Sequence, residues 1–282
     1  MARVTKAGAI APLDYTRRLW MRLWVGAVLA FLYVPLIALI AFSFNTSKRN
    51  IEWQGFTLKW YAKAFANSSL MEALANSLTI ALLATVLSLI LGGLAAVLLW
   101  RFRFPGKAGL EGTMTLPIVV PEICMGVAML IFFNQLGWPS SLPWPFNLSA
   151  ITIAHTTFCF PFVAMVVRAR LASFNRQQEE AAKDLGASEW QAFRDVLLPH
   201  MKPGLIAGAL LSFTLSLDDF VITFFTSGPE TVTFPVKVYA MVRFSVTPEV
   251  NAVSAILILL TVILTGIAMK LQGAAALGAS PK

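Results

Sequence analysis

Long apolar stretches alternate with short polar stretches along this chain. A helix rises about 1.5 Å per residue, so crossing a hydrocarbon layer of about 30 Å takes roughly 20 apolar residues. Six stretches meet this requirement, over residues 23–44, 74–99, 113–133, 150–167, 203–225 and 253–269. The pattern predicts an all-α membrane protein in which six transmembrane helices form one domain over residues 23–270.

The charge distribution predicts the orientation of these helices. Only 13% of the residues are charged, and the net charge of +8 follows the loops instead of forming the basic patch of a nucleic acid binder. With a cytoplasmic N-terminus, 16 of the 22 Lys and Arg residues fall on the cytoplasmic side. This asymmetry places both termini and the polar stretch 168–202 in the cytoplasm. We expect a multi-pass protein of the inner (plasma) membrane without a nucleic acid partner.

Three smaller predictions concern the two ends of the chain, the first apolar stretch and the cysteines. Residues 1–22 are predicted to form a basic cytoplasmic segment, and residues 271–282 a cytoplasmic tail. The first apolar stretch is longer than the core of a cleaved signal peptide, so we expect it to remain as an anchor. Cys124 and Cys159 fall inside predicted helices, where a free thiol behaves as a small hydrophobe, and no disulfide is expected.

The sequence contains no catalytic constellation. It has no G-x-x-x-x-G-K-[ST] phosphate loop, and its two histidines, His155 and His200, are too far apart in sequence for a metal-ligating motif. We expect His155 to form hydrogen bonds between helices. The sequence therefore predicts neither an enzyme nor a bound cofactor, and the energy for any work that the protein does must come from a partner.

The polar stretch 168–202 predicts two short helices with a corner between them. Residues 177–185 are good helix formers, and Gly186 can end a helix in the left-handed conformation. Ser188 and Gln191 match a capping box, which predicts a second short helix through Leu198. Trp190 and Phe193 would share one face of this helix. The residues alone leave open whether this face lies on membrane lipid or binds another protein.

The same stretch carries a family resemblance. Glu180-Ala181-Ala182, then Gly186, then Val196-x-Leu198-Pro199 match every position of the "EAA" loop and so resemble permease subunits of ATP-binding-cassette importers. In that family the loop docks in a groove of a cytoplasmic ATPase. The resemblance implies that residues 168–202, the coupling segment, contact such ATPase subunits. The implied coupling residues are Glu180, Ala181, Ala182, Gly186, Trp190, Phe193, Leu198 and Pro199.

Further motifs narrow the resemblance. Leu215-Ser216-Leu217-Asp218-Asp219-Phe220-Val221, Ser227-Gly228-Pro229 and Pro248-Glu249-Val250-Asn251-Ala252 look like the polyamine (spermidine/putrescine) permease subfamily. This implies half of a translocation path for a small cation, a second permease subunit in a heterodimer, and a periplasmic or extracellular solute-binding protein. Related permeases carry aminoalkylphosphonate, iron or thiamine, which remain alternatives. An ion-gradient-driven carrier is a further alternative, less favoured because this chain has no internal repeat.

Asp218 and Asp219 are the candidate carboxylates of the solute path. They would lie roughly 23 Å along a helix that starts at Pro203, where an Asp costs about 2.5–3.5 kcal/mol. They should therefore face a water-filled path, cap a broken helix, or pair with a basic residue of the second permease. The candidate aromatic residues of the path are Phe220, Phe224 and Tyr239, and Glu122 is a further carboxylate, with a helix kink or a subunit contact as its alternative role.

A glycine pair predicts a close helix contact. Gly204-x-x-x-Gly208 lies at the start of the fifth apolar stretch, where it would let another helix approach closely. The sequence does not decide between a contact inside this chain and a contact with the partner permease.

Overall fold

The computed structural model describes residues 19–47, 52–138, 142–244 and 248–277. Regular structure in these ranges is helical, apart from an isolated β-bridge between Asn45 and Phe56. The predicted basic segment lies almost entirely, and the predicted C-terminal tail partly, outside the described residues. The all-α prediction is confirmed.

Twelve α-helices follow one another along the described ranges. They are α1 (Leu19–Phe42), α2 (Lys59–Ala66), α3 (Ser68–Arg101), α4 (Lys107–Val119), α5 (Glu122–Gln135), α6 (Ser149–Leu171), α7 (Gln177–Asp184), α8 (Glu189–Ala192), α9 (Leu198–Leu217), α10 (Val221–Thr226), α11 (Phe234–Phe244) and α12 (Pro248–Leu277). A 3₁₀ turn precedes α6, and a π-helical turn, Phe193–Leu197, joins α8 to α9.

Four helical segments of the described chain are long and apolar enough to cross a membrane. They are Leu19–Phe42, Ser68–Arg101, Phe146–Leu171 and Glu189–Leu217. The bent pair of α4 and α5 makes a fifth if it is counted as one span. The remaining predicted segment lies in α12, whose described apolar part runs over Pro248–Ile263. The count of six and the orientation of the termini therefore stay predictions.

The third predicted span consists of two helices instead of one. The chain breaks at Val120 and Pro121, and α4 and α5 meet at 110°. Proline has no N–H to donate and pushes the preceding residue toward extended backbone. Val120 indeed has φ −72° and ψ 131°. The break places the N-terminus of α5, with Glu122, at a bend between two helices.

The second short helix of the coupling segment does not end before Pro199, so this boundary is wrong. The chain continues from α8 through the π-helical turn into α9. Pro199 is the second residue of α9 and directly follows the π-helical turn, where it has no N–H to donate to the preceding residues. The coupling segment is thus continuous with the helix that leads to Asp218.

The helices α3, α6 and α9 form the centre of the bundle. Small residues let them approach closely, because little side chain separates the backbones. A Cβ on Gly92 of α3 would lie 2.7 Å from the carbonyl oxygen of Phe160 in α6. Cβ atoms on Gly204 and Gly208 would lie 3.1 Å from side-chain atoms of Arg170 and Val163. The glycine pair therefore packs inside this chain.

Candidate functional site

The corner of the coupling segment depends on the backbone of Gly186. This residue has φ +94°, in the left-handed region that residues with a Cβ rarely adopt. The N–H of Gly186 donates to Lys183 O at 2.8 Å, and the N–H of Ala187 donates to Ala182 O at 3.0 Å. A Cβ on Gly186 would meet no atom within 4 Å, so the backbone conformation, not lack of space, favours glycine.

The capping box expected at the next helix is present. The N–H of Ser188 donates to Gln191 Oε1 at 2.7 Å, and the N–H of Gln191 donates to Ser188 Oγ at 3.3 Å. These two bonds satisfy donors that the first turn of a helix leaves open. They fix the first turn of α8.

An exposed aromatic surface lies on this second helix. The rings of Trp190 and Phe193 stack with centroids 5.5 Å apart, and 64% of Trp190 is exposed. Among the other resemblance-derived coupling residues, Glu180, Ala181, Gly186 and Pro199 are exposed, and Ala182 and Leu198 are half-buried. By contrast, Leu197 is fully buried against the bundle. One side of the turn thus anchors the segment, and the other presents apolar surface outward.

An ion-pair network attaches the coupling segment to the end of α3. Arg101 Nη1 lies 2.8 Å from Glu179 Oε1, and Arg101 Nη2 lies 3.3 Å from Glu189 Oε2. Lys183 Nζ donates to Glu189 Oε1 at 2.6 Å. That hydrogen bond raises the pKa of Lys183 above its ordinary value. The network joins α3, α7 and α8 through side chains that are far apart in sequence.

Sequence reasoning missed Arg101 and Glu179. Glu179 directly precedes the recognised Glu-Ala-Ala triplet, yet it is Glu179 that is buried, while Glu180 is exposed. A neighbouring contact supports the same attachment, because the Arg176 guanidinium lies 4.6 Å from the centre of a Trp100 ring. Arg176 Nη2 also donates to Trp100 O at 3.1 Å.

The chain is broken between α9 and α10, and Asp219 caps the second piece. Asp219 Oδ2 accepts hydrogen bonds of 2.9 Å from both the N–H and the hydroxyl of Thr223. His155 Nε2, from α6, lies 3.3 Å from the same oxygen. Its Nδ1 lies 2.7 Å from Ser216 Oγ. Asp219 is buried, so its carboxylate contacts side chains inside this chain.

Asp218 has a different environment. Its side chain is exposed, and its carboxylate interacts electrostatically with Glu122 at the start of α5. Glu122 is exposed too. Asp218 directly follows the end of α9, and Asp219 lies in the break before α10, which accounts for their different directions. Two exposed carboxylates, one at the end of α9 and one at the start of α5, thus lie within electrostatic range of each other.

The candidate aromatic residues come together next to this break. The ring of Phe220 lies 4.7 Å from that of Tyr239 in α11 and 5.5 Å from that of Phe224 in α10. Phe224 and Tyr239 are each about half exposed, with values of 51% and 47%. The structure thus packs Phe220 against Phe224 and Tyr239 in the region that follows Asp218, and it directs Asp219 inward.

The apolar helices define a multi-pass membrane protein, and no group of three potential metal ligands occurs in the described part of the chain. Residues 88–276 match the family described as binding-protein-dependent transport system inner membrane component. The chain therefore belongs to this family of inner-membrane permeases of ATP-binding-cassette transporters. In such systems the ATPase activity belongs to partner subunits.

Two Escherichia coli (strain K12) proteins are similar to most of the chain. The spermidine/putrescine transport system permease protein PotC is 42% identical over 241 residues, 86% of this chain and 89% of PotC. The putrescine transport system permease protein PotI is 41% identical over 233 residues, 81% of this chain and 82% of PotI. A solved bacterial transporter that imports alginate shares the fold, with a TM-score of 0.70 and 18% identity over 93% of this chain and 98% of that chain.

Proposed function

We propose that this chain is the permease subunit of an ATP-driven importer and forms half of the translocation path for a polyamine such as putrescine or spermidine. The observation that carries the proposal is the similarity to two polyamine permeases, at 42% and 41% identity over more than four fifths of the chain. The exposed carboxylate and aromatic rings beside the break between α9 and α10 suit the same cargo. An ammonium group that has lost its hydration water needs anionic oxygens and aromatic faces to replace that water.

In the proposed topology six helices cross the inner membrane and both termini are cytoplasmic. The broken pair α4 and α5 supplies the third span, and α12 supplies the sixth. The excess of basic residues on the side of the coupling segment supports this orientation.

The proposed partners act at three surfaces. Cytoplasmic ATPase subunits, which bind the ATP, receive the aromatic surface of Trp190 and Phe193 together with the Glu-Ala-Ala corner. A second permease subunit completes the path along the open face beside Asp218, and a solute-binding protein delivers the solute on the other side of the membrane. The exposed ring of Trp190, stacked on the half-buried ring of Phe193, supports the first of these contacts, because such apolar surface is commonly a binding site.

Within the path, Asp218 is the proposed carboxylate for the solute, with Glu122 as a second one. Phe220, Phe224 and Tyr239 provide the aromatic faces. Asp219 has a structural role in this proposal, since its carboxylate is already engaged by Thr223 and His155. No bound cofactor takes part.

Uptake of labelled solutes tests the proposal directly. Cells with and without this chain are compared for uptake of putrescine, spermidine and an aminoalkylphosphonate, with the partner subunits present in both. Chain-dependent uptake of a polyamine, abolished by loss of the ATPase, is the expected result. Uptake of the phosphonate alone would assign another cargo to the same architecture. Polyamine uptake that persists without the ATPase but requires an ion gradient would contradict the importer assignment.

A further inference from the structure

A cavity lies far from the coupling segment. It has a volume of about 580 Å³ and is lined by the end of α5, the residues before α6, and the turn that follows α10. The helix α6 separates the two regions, and its 23 residues correspond to about 34 Å. In the proposed topology this cavity, the outer cavity, opens on the side where the solute arrives.

The described residues that line the outer cavity include oxygen acceptors and no basic side chain. Glu230 lines it, is exposed, and forms none of the ion pairs found in the described part of the chain. Asn147 also lines it, and its Oδ1 is buried without a hydrogen-bond donor among the described residues. Because the terminal torsion of asparagine is soft, this oxygen can turn toward a donor in the cavity.

Apolar rings complete the wall. Trp138 is held in place, because its Nε1–H donates to Ser149 Oγ at 3.1 Å and its ring packs edge-on against Phe133 at 5.4 Å. Phe225 also lines the cavity. Its ring packs tightly against α5, because a Cβ on Gly126 would lie 2.7 Å from the ring. Aromatic faces attract cations and also cover methylene groups.

The turn that carries Glu230 is ordered by its own hydrogen bonds. The N–H of Gly228 donates to Thr231 Oγ1 at 2.7 Å, and the N–H of Thr231 donates to Gly228 O at 3.2 Å. The Glu230 carboxylate therefore belongs to a turn whose backbone is fixed by hydrogen bonds. A site whose groups are held in place before binding loses less freedom when a ligand arrives.

We propose that the outer cavity is a binding site for one ammonium end of an alkyl diamine or triamine before it enters the membrane path. Glu230 and Asn147 accept hydrogen bonds from the ammonium group, whose three N–H donors suit two or more acceptors. The methylene chain lies against Trp138 and Phe225. The helix α10, about 9 Å long, separates this site from Asp218, so that the solute meets two carboxylates in succession. The inference rests on the proposed polyamine function.

Protection of a cysteine in the cavity wall tests this site. Ser227, which lines the cavity, is replaced in the variant Ser227→Cys, with Cys124→Ser to remove the exposed native thiol. The assembled transporter, without its solute-binding protein, is labelled in nanodiscs with a cationic methanethiosulfonate. Labelling is timed over a titration of putrescine and, as an uncharged control of the same length, 1,4-butanediol.

We expect putrescine near saturation to slow labelling by at least about threefold, because an occupied site shields the cysteine and occupancy rises with ligand concentration. Butanediol should have no effect, because it lacks the positive charge that the site binds. Glu230→Gln should remove the protection. The matched variant Glu52→Gln removes an exposed carboxylate elsewhere on the proposed outer side and should retain it. Absence of protection by putrescine, equal protection by butanediol, full protection in Glu230→Gln, or loss of protection in both variants would each overturn the site.

Uptake by the unmodified transporter separates this inference from the proposed function. Polyamine uptake without protection of the cysteine rules out the outer site and leaves the function intact. Protection without polyamine uptake supports a diamine site and contradicts the function. Absence of both overturns both.

Discussion

The guanidinium of Arg101 lies 2.8 Å from the carboxylate of Glu179 and joins the last turn of α3 to the coupling segment. Glu179 is buried, whereas the other carboxylate bound by Arg101, that of Glu189, is exposed. Removing one partner of a buried ion pair leaves an uncompensated charge, which is more damaging than loss of a pair on the surface. Arg101 is therefore placed to fix the position of the coupling segment relative to the bundle.

We expect Arg101→Gln to lower solute uptake by about tenfold, because it removes the shorter of the two cation contacts of the buried Glu179 carboxylate and leaves only Lys183 Nζ, at 3.5 Å. Arg103→Gln, which removes an exposed arginine two residues away, serves as the matched control and should have little effect. Uptake and solute-stimulated ATP hydrolysis are measured on complexes purified in equal amount. Equal uptake by the two variants would mean that the Arg101 network does not position the segment.

The double variant Trp190→Ala with Phe193→Ala should fold but lose its ATPase. Truncating large aromatic anchors at an interface typically costs at least about 2 kcal/mol, so recovery of the ATPase with the purified chain should drop by about thirtyfold or more. The control, Trp53→Ala, removes an exposed tryptophan from the loop before α2. Normal co-purification and uptake by the double variant would contradict the docking assignment.

Gly186→Val should impair coupling far more than Gly186→Asn. A β-branched residue is strained at φ +94°, while asparagine tolerates the left-handed region better than most residues with a Cβ. Both variants fill the same open space, so they differ mainly in backbone preference. The measurement is the ratio of solute transported to ATP hydrolysed, and similar ratios would show that the corner conformation is unimportant. Lys183→Ala would be a less suitable control than Gly186→Asn, because Lys183 Nζ donates a hydrogen bond to Glu189.

The two adjacent aspartates should respond differently to replacement by asparagine. Asp218→Asn removes an exposed charge, so we expect assembled complex in normal yield with strongly reduced polyamine uptake. Asp219→Asn weakens the contacts with His155 and Thr223, and the loss of a capping carboxylate costs on the order of 1 kcal/mol. Its effect should appear as lower thermal stability and yield. Reduced yield for Asp218→Asn, or normal stability with lost uptake for Asp219→Asn, would exchange their assigned roles.

The sequence by itself determined the features that depend on short-range chemistry. Apolar stretches of about 20 residues can bury their backbone in lipid only as helices, and the described structure is helical where they occur. The corner at Gly186 and the Ser188–Gln191 capping box also follow from residues a few positions apart. The bend between α4 and α5 could have been expected from Pro117 and Pro121. Its angle of 110° depends on how α5 packs against α10.

Only the tertiary structure decided which member of each charged pair faces inward. Asp219 is buried because His155 on α6 lies beside it, and Glu179 is buried because Arg101 ends α3 at that point. Their neighbours, Asp218 and Glu180, are exposed. Glu179 and Glu180 point about 100° apart on α7, whereas Asp218 and Asp219 lie in the break between α9 and α10. Neighbours in sequence therefore meet different surroundings. Those surroundings are supplied by residues 60 or more positions away, and no local pattern encodes them.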